Sequence, residues 1–175
     1  TRSALATGMQ VVVALSSDRA ECRASLAGTR AGVVMVDATP DDLAAHMKAG
    51  LDALPIATPV VMMAGTPEIV TEDLRQILMA WRTTPQLILR AIGTGGESGN
   101  LLCLPAWARP ELDDMRAGND ITLALRRHAG RTRQVTLPDR IGLIDADVAD
   151  DWKGWRRMRP SRPIIRPTDA APNGP

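Results

Sequence analysis

The sequence contains neither phenylalanine nor tyrosine. With four tryptophans as its only large aromatics, a 175-residue chain has to build its core from Leu, Ile, Val, Met and Ala. Cysteine is almost as scarce. Cys22 and Cys103 stand alone, in no CxxC or other metal-ligand spacing, which excludes a disulfide framework and a cysteine zinc site. Both read as buried free thiols in a reducing cytoplasm. No apolar run approaches the roughly 18 residues of a membrane span, and no secretory leader is visible. Neither sign of charge dominates: the formal net charge is +1, so no overall field draws the chain to nucleic acid or to a membrane.

What is present is ordinary for a globular domain: 45% hydrophobic and 23% charged residues, in a length that buries a sizeable core. The charges are segregated along the chain. Residues 1–125 hold 10 basic and 14 acidic side chains, whereas residues 126–166 hold 11 basic and 5 acidic. The basic segment suits either a phosphorylated ligand or a solvated surface.

Strand and helix signals alternate. Short, largely apolar runs at Gln10–Leu15, Val33–Val36, Pro59–Ala64, Gln86–Ile92, Leu101–Leu104 and Arg133–Leu137 predict strands. Helical character appears in part of residues 1–9 and over Asp18–Leu26. Thr39-Pro40-Asp41-Asp42 predicts a helix start, with Thr39 as cap and Pro40 at the first helical position. That helix runs to about Leu54 and carries Leu43, Met47, Leu51 and Leu54 on one face. Thr71-Glu72-Asp73 predicts a second capped helix, with Leu74, Ile77, Leu78 and Trp81 as its stripe. Further helices are expected near 110–115, 120–128 and 147–157. Alternation of this kind predicts a mostly parallel, doubly wound sheet in a three-layer α/β/α sandwich over residues 1–158. The proline-rich stretch 159–175 is expected to be an extended or disordered tail. The chain enters its first strand straight from a helix, so the first βα unit of a doubly wound domain is expected to be missing, either because the sequence is a fragment or because the protein has dispensed with that unit.

Open parallel sheets bind ligands at the carboxyl ends of their strands. Three segments fall there. In 140-RIGLIDADVADDW-152, Asp145 and Asp147 point to one side of an extended segment and could share Mg²⁺, or Asp147 could simply cap a helix. The loop 93-GTGGESGN-100 offers four glycines for close backbone approach to a ligand, or is a flexible connection; it matches neither dinucleotide nor P-loop spacing. In 60-VVMMAGTPEIVTEDL-74 the strand end carries Gly65 where an α/β enzyme places a charged residue. His46 and His128 stand in no identifiable nucleophile motif and read as surface residues.

The segments 47-MKAGLDALP-55, 67-PEIVTEDL-74, 99-GNLLCLP-105, 123-LALRRHAGRTRQVTLP-138 and 143-LIDADVADDW-152 follow one another in an order and spacing that resembles the MobA-like nucleotidyltransferases, in particular the molybdenum cofactor cytidylyltransferases. The resemblance covers about residues 3–157. It implies a nucleotide-diphospho-sugar transferase-like fold and transfer of CMP or GMP from CTP or GTP to molybdopterin, with Mg²⁺ and release of pyrophosphate. It implies substrate contacts at Lys48, Gly65, Thr66, Pro67, Gly99 and Asn100, and metal binding by Asp145 and Asp147. Molybdopterin is then a substrate, a molybdoenzyme or its chaperone the downstream partner, and the cytoplasm the location.

The departures from that family are as informative as the matches. The signature phosphate loop is absent. Gly65-Thr66-Pro67 stands for Asp-Met-Pro, so the metal carboxylate is replaced by Gly65. His46 stands where a serine is usual, and Val148-Ala149 follows the retained Asp145 and Asp147. Two functions remain open on this reading: a nucleotidyltransferase whose N-terminal part is missing from this sequence, with little or no turnover expected of the chain as it stands, and a non-catalytic nucleotide- or cofactor-binding relative.

Overall fold

The structure, a computed structural model, describes residues 1–39, 42–56, 59–63, 68–96, 98–110 and 125–137. Among the described residues the strands and the complete α-helices follow in the order α1 (Arg2–Leu5), β1 (Val12–Ser16), α2 (Ala20–Leu26), β2 (Gly32–Val36), α3 (Leu43–Asp52), β3 (Val60–Met63), α4 (Thr71–Thr83), β4 (Ile88–Ile92), β5 (Ser98–Leu104) and β6 (Thr132–Thr136). Each expected strand is present. The expected helices near 110–115 and 147–157, and the tail, lie outside the described residues; of the one expected over 120–128, residues 125–127 are helical.

β1 and β2 pair in parallel, while the other four strands form one sheet in the order β3-β5-β4-β6. β4 and β6 are parallel, and β5 runs antiparallel to both β3 and β4, so three of the four strands share one direction. The glycine-rich connection is a hairpin turn between β4 and β5. Gly96 N–H donates to Gly93 O at 3.0 Å, and Gly96 sits at φ 87°, which disfavours a side chain.

Strand alternation sorts the core into two layers. Leu89, Ala91, Leu101 and Cys103 face Leu74 and Ile77 of α4 and Ala4 of α1. Ile88, Leu102, Leu104 and Val60 face the other way, against Leu51, Met47 and Leu54 on or next to α3. Period-2 strands between two period-3.6 helical stripes thus give helix, sheet and helix, the three-layer sandwich expected from the sequence. The described core holds the aliphatic residues that the composition demands.

Two helix starts differ from expectation. α3 begins at Leu43 with Asp42 as its cap, the carboxylate accepting from Ala45 N at 3.0 Å. A residue three before an amide makes that bond, and Asp42 rather than Thr39 has that offset from Ala45. In α4, Val70 takes the cap position and its N–H donates to Asp73 Oδ2 at 2.9 Å. Thr71 instead donates to Ser3 O at 3.2 Å and ties α4 to α1. At the other end of α3, the buried Arg109 guanidinium donates to the carbonyls of Leu51, Leu54 and Pro55. A cation there satisfies carbonyls that helix geometry leaves without a partner and complements the dipole.

Candidate functional site at the carboxyl rim

The carboxyl ends of the parallel strands gather residues from four segments. β1 ends at Ser16, one of few buried polar side chains at 3% exposure. Ser16 Oγ lies 2.9 Å from His46 Nε2, on the first turn of α3. The other ring nitrogen, Nδ1, is 2.7 Å from the Asp42 carbonyl. A carbonyl only accepts, so Nδ1–H donates to it, which leaves Nε2 to share its hydrogen bond with the Ser16 hydroxyl. The chain therefore holds a serine, a histidine and a fixed tautomer in one row, which corrects the sequence reading of His46 as a surface residue with no hydroxyl partner. The two residues are 30 positions apart. The available signal was a serine closing a strand and a histidine in the first turn of the helix after the next strand.

Gly99 and Asn100 belong to β5, where the sequence pattern placed a loop. Met63, the last residue of β3, is paired with Leu101, and Ile92, the last of β4, with Ser98. Because β5 runs antiparallel, its first residues lie beside the carboxyl ends of β3 and β4. Gly99 is buried and its carbonyl accepts from Arg90 Nε at 3.5 Å. The expected Gly65, Thr66 and Pro67 follow β3 by two to four residues and lie outside the described residues, as do Asp145 and Asp147. Lys48 sits nearly two turns along α3 from the cap Asp42, half exposed, with its ammonium 3.7 Å from Asp52.

Among the described residues no three His, Cys, Asp or Glu side chains stand together as a metal cage. The two cysteines divide. Cys103 is buried in β5, and burial pushes its thiol up to about 12. Cys22 is exposed on α2, which corrects the expectation of two buried thiols; the helix turns it to solvent because α2 buries none of its residues.

The opposite rim is built differently. Arg131 lies 3.6 Å over the Trp107 ring, and His128 meets the same ring edge-on at 5.3 Å. The indole N–H donates to Gln86 O at 3.0 Å. Every partner there is internal, so this is a clasp joining the residues after β5 to the starts of β4 and β6.

No protein-family model matches the chain, and no curated protein sequence matches it. Solved structures do. Rv0371c from Mycobacterium tuberculosis H37Rv, in complex with manganese, superposes with a TM-score of 0.73 at 23% identity, covering 87% of this chain and 81% of that one. A second structure of Rv0371c gives the same TM-score over 89% and 80%. Its homologue from Mycobacterium sp. strain JC1 gives 0.67 at 19% identity, over 83% and 72%. At these identities the likeness concerns the backbone: the chain has the α/β/α fold of Rv0371c.

Proposed function

We propose that this chain is a nucleotidyltransferase-like protein whose carboxyl rim binds a nucleoside triphosphate with a divalent cation, CTP or GTP being the nucleotide and molybdopterin the acceptor. The observation that supports it most is the register Met63 with Leu101, which sets Gly99 and Asn100 beside the end of β3, the strand that leads to Gly65-Thr66-Pro67. Those are the segments the family resemblance marks for substrate, and the topology brings their flanks to one rim, where open α/β sheets hold ligands. The manganese in the Rv0371c complex supports a divalent ion at a site in this fold.

In this reading Gly99 and Asn100 contact the nucleotide or the pterin, and Lys48 leaves Asp52 to meet a phosphate. Gly65, Thr66 and Pro67 line the substrate strand end, and Asp145 and Asp147 hold Mg²⁺. The reaction joins an acceptor phosphate oxygen to the α-phosphorus and expels pyrophosphate. It requires little covalent help and much positioning. The bound cation would supply neutralisation of phosphate charge. Gly65 in place of an acid removes one such anchor. A single electrostatic contribution can be worth about 10²–10³ in rate, so transfer is expected to be weak and nucleotide binding to be the surviving property. The same glycine favours the second reading, a non-catalytic relative that binds nucleotide or cofactor for a molybdoenzyme or its chaperone in the cytoplasm.

Calorimetry separates these. CTP or GTP binding that requires Mg²⁺ and is lost in Asp147→Ala supports the nucleotide site, and pyrophosphate release with molybdopterin then distinguishes transferase from binder. No heat with any nucleotide, with or without Mg²⁺, sinks the proposal.

A further inference from the structure

β4 lies inside the four-stranded sheet, with β5 on one edge and β6 on the other. Its sequence is Ile88-Leu89-Arg90-Ala91-Ile92. Ile88, Leu89 and Ala91 are 3%, 0% and 0% exposed, so an arginine stands in the middle of a core strand. Strands covered on both faces are normally apolar throughout, and a charge set among them needs a partner or water.

Alternation turns Arg90 to the face that carries Ile88 and Leu102. Toward β5 that face is closed, since Leu102, paired with Arg90, is 4% exposed. Toward β6 it opens. Gln134 is the register partner of Arg90 and Thr136 that of Ile92, and both are exposed, while Arg90 itself is half-buried.

The guanidinium reaches toward the carboxyl rim. Arg90 pairs with Leu102 and Ile92 with Ser98, so β5 takes four steps where β4 takes two, and the ladder bulges. Gly99 lies within the bulge, and its carbonyl accepts from Arg90 Nε at 3.5 Å. Among the described residues nothing accepts from Nη1 or Nη2. The other described arginines differ. Arg109 gives both terminal nitrogens to carbonyls at the end of α3, and the rest are exposed. Arg90 is thus held inside the fold at one nitrogen, with the two terminal nitrogens turned to the open side of the sheet. A planar fork of this kind matches two oxygens of a phosphate.

We propose that Arg90 anchors a phosphomonoester, the phosphate of the acceptor, at a subsite that it forms with Gly99 and Gln134. The naming of the acceptor rests on the nucleotidyltransferase reading above; the phosphate site does not. Lys48 is carried by α3, the helix between β2 and β3, whereas Arg90 stands on β4, beyond β5 from β3. Two cations on opposite flanks of the β3 end suit two phosphate groups, the triphosphate on the side of Lys48 and the acceptor on the side of Arg90. A bidentate contact fixes which acceptor oxygen faces the α-phosphorus.

The test uses the intact chain with phenyl phosphate as the probe, followed by NMR of amide and arginine Nε–H groups. Saturable shifts are expected at Arg90 Nε–H and at the amides of Gly99 and Gln134. Arg90→Lys, which keeps the charge and loses the fork, should bind at least about threefold more weakly, and Arg90→Met, which keeps the apolar stem, at least about tenfold. Gln134→Glu alters an exposed position, spares the core and should weaken binding at least about threefold by repulsion. CTP with Mg²⁺ should bind Arg90→Met within about twofold of the unaltered chain, because the two phosphates have separate cations. The proposal is overturned if phenyl phosphate does not saturate, or if Arg90→Met and Gln134→Glu bind it as the unaltered chain does. It is also overturned if Arg90→Met weakens CTP as much as phenyl phosphate, since the guanidinium then holds the nucleotide. Phenyl phosphate binding that depends on Arg90 in a chain that binds no CTP supports the phosphate site and sinks the transferase reading alone.

Discussion

The two sheets of this molecule are made of similar residues and are packed very differently. In the four-stranded sheet Leu89, Ala91, Leu101 and Cys103 have no exposure. In the pair β1 and β2, which is much richer in valine, only Ser16 and Val36 are buried, and Met35 is 38% exposed. β-branched sequence makes a strand, but layers on both faces make a core. A two-stranded sheet has marginal stability of its own, so β1 and β2 depend on α3 for their attachment.

Substitutions can sharpen that contrast. Leu89→Ala, at a site closed on all sides, is expected to cost about 3 kcal/mol in urea unfolding, with a cavity left behind, whereas half-buried Val13→Ala should cost about 1 kcal/mol. Equal losses would break the distinction. Arg109→Ala should cost about 2–3 kcal/mol, because three carbonyls at the end of α3 lose their donor. As α3 joins the two sheets, exchange in β1 and β2 should rise before exchange in β4 and β5. Ser16→Ala should cost about 1 kcal/mol and shift the His46 ring resonances.

The thiols give a sharper local probe of the same difference. Cys22 should react with a thiol reagent at once and Cys103 only on unfolding. The sign of the pH effect follows from the Cys103 thiol, raised from 9.0 to about 12. The unfolded chain loses that proton first, so stability is intact below about pH 9 and falls as pH rises from there toward 12. Cys103→Ala should remove that part of the alkaline slope.

The strands were legible because β-branched runs bounded by polar residues say strand with little help from context. The two helical stripes were legible for the same reason: Met47 and Leu51, and Leu74 and Ile77, pack where their spacing put them. Pairing partners were not. Ser98, Gly99 and Asn100 read as loop because glycine weakens a strand, yet the ladder with β4 carries β5 back through them. Ser16 and His46 meet only through a crossover from β1 to α3, and Arg109 reaches α3 over more than 50 residues. Of the candidate site, Gly99 and Asn100 lie at the carboxyl ends of β3 and β4, the end of the sheet at which the sequence pattern put the loop 93–100, while Gly65, Thr66, Pro67, Asp145 and Asp147 lie outside the described residues.

The central claim is that the ligand end of this molecule is the carboxyl rim, where β1 and β3 end, and that the Trp107–Arg131 clasp closes the other. NMR shift mapping during titration with CTP and Mg²⁺ tests it directly. The account predicts saturable shifts at Ser16, His46, Gly99 and Asn100 with Trp107 and Arg131 unmoved. Shifts concentrated at Trp107, His128 and Arg131, with the carboxyl rim silent, would contradict it.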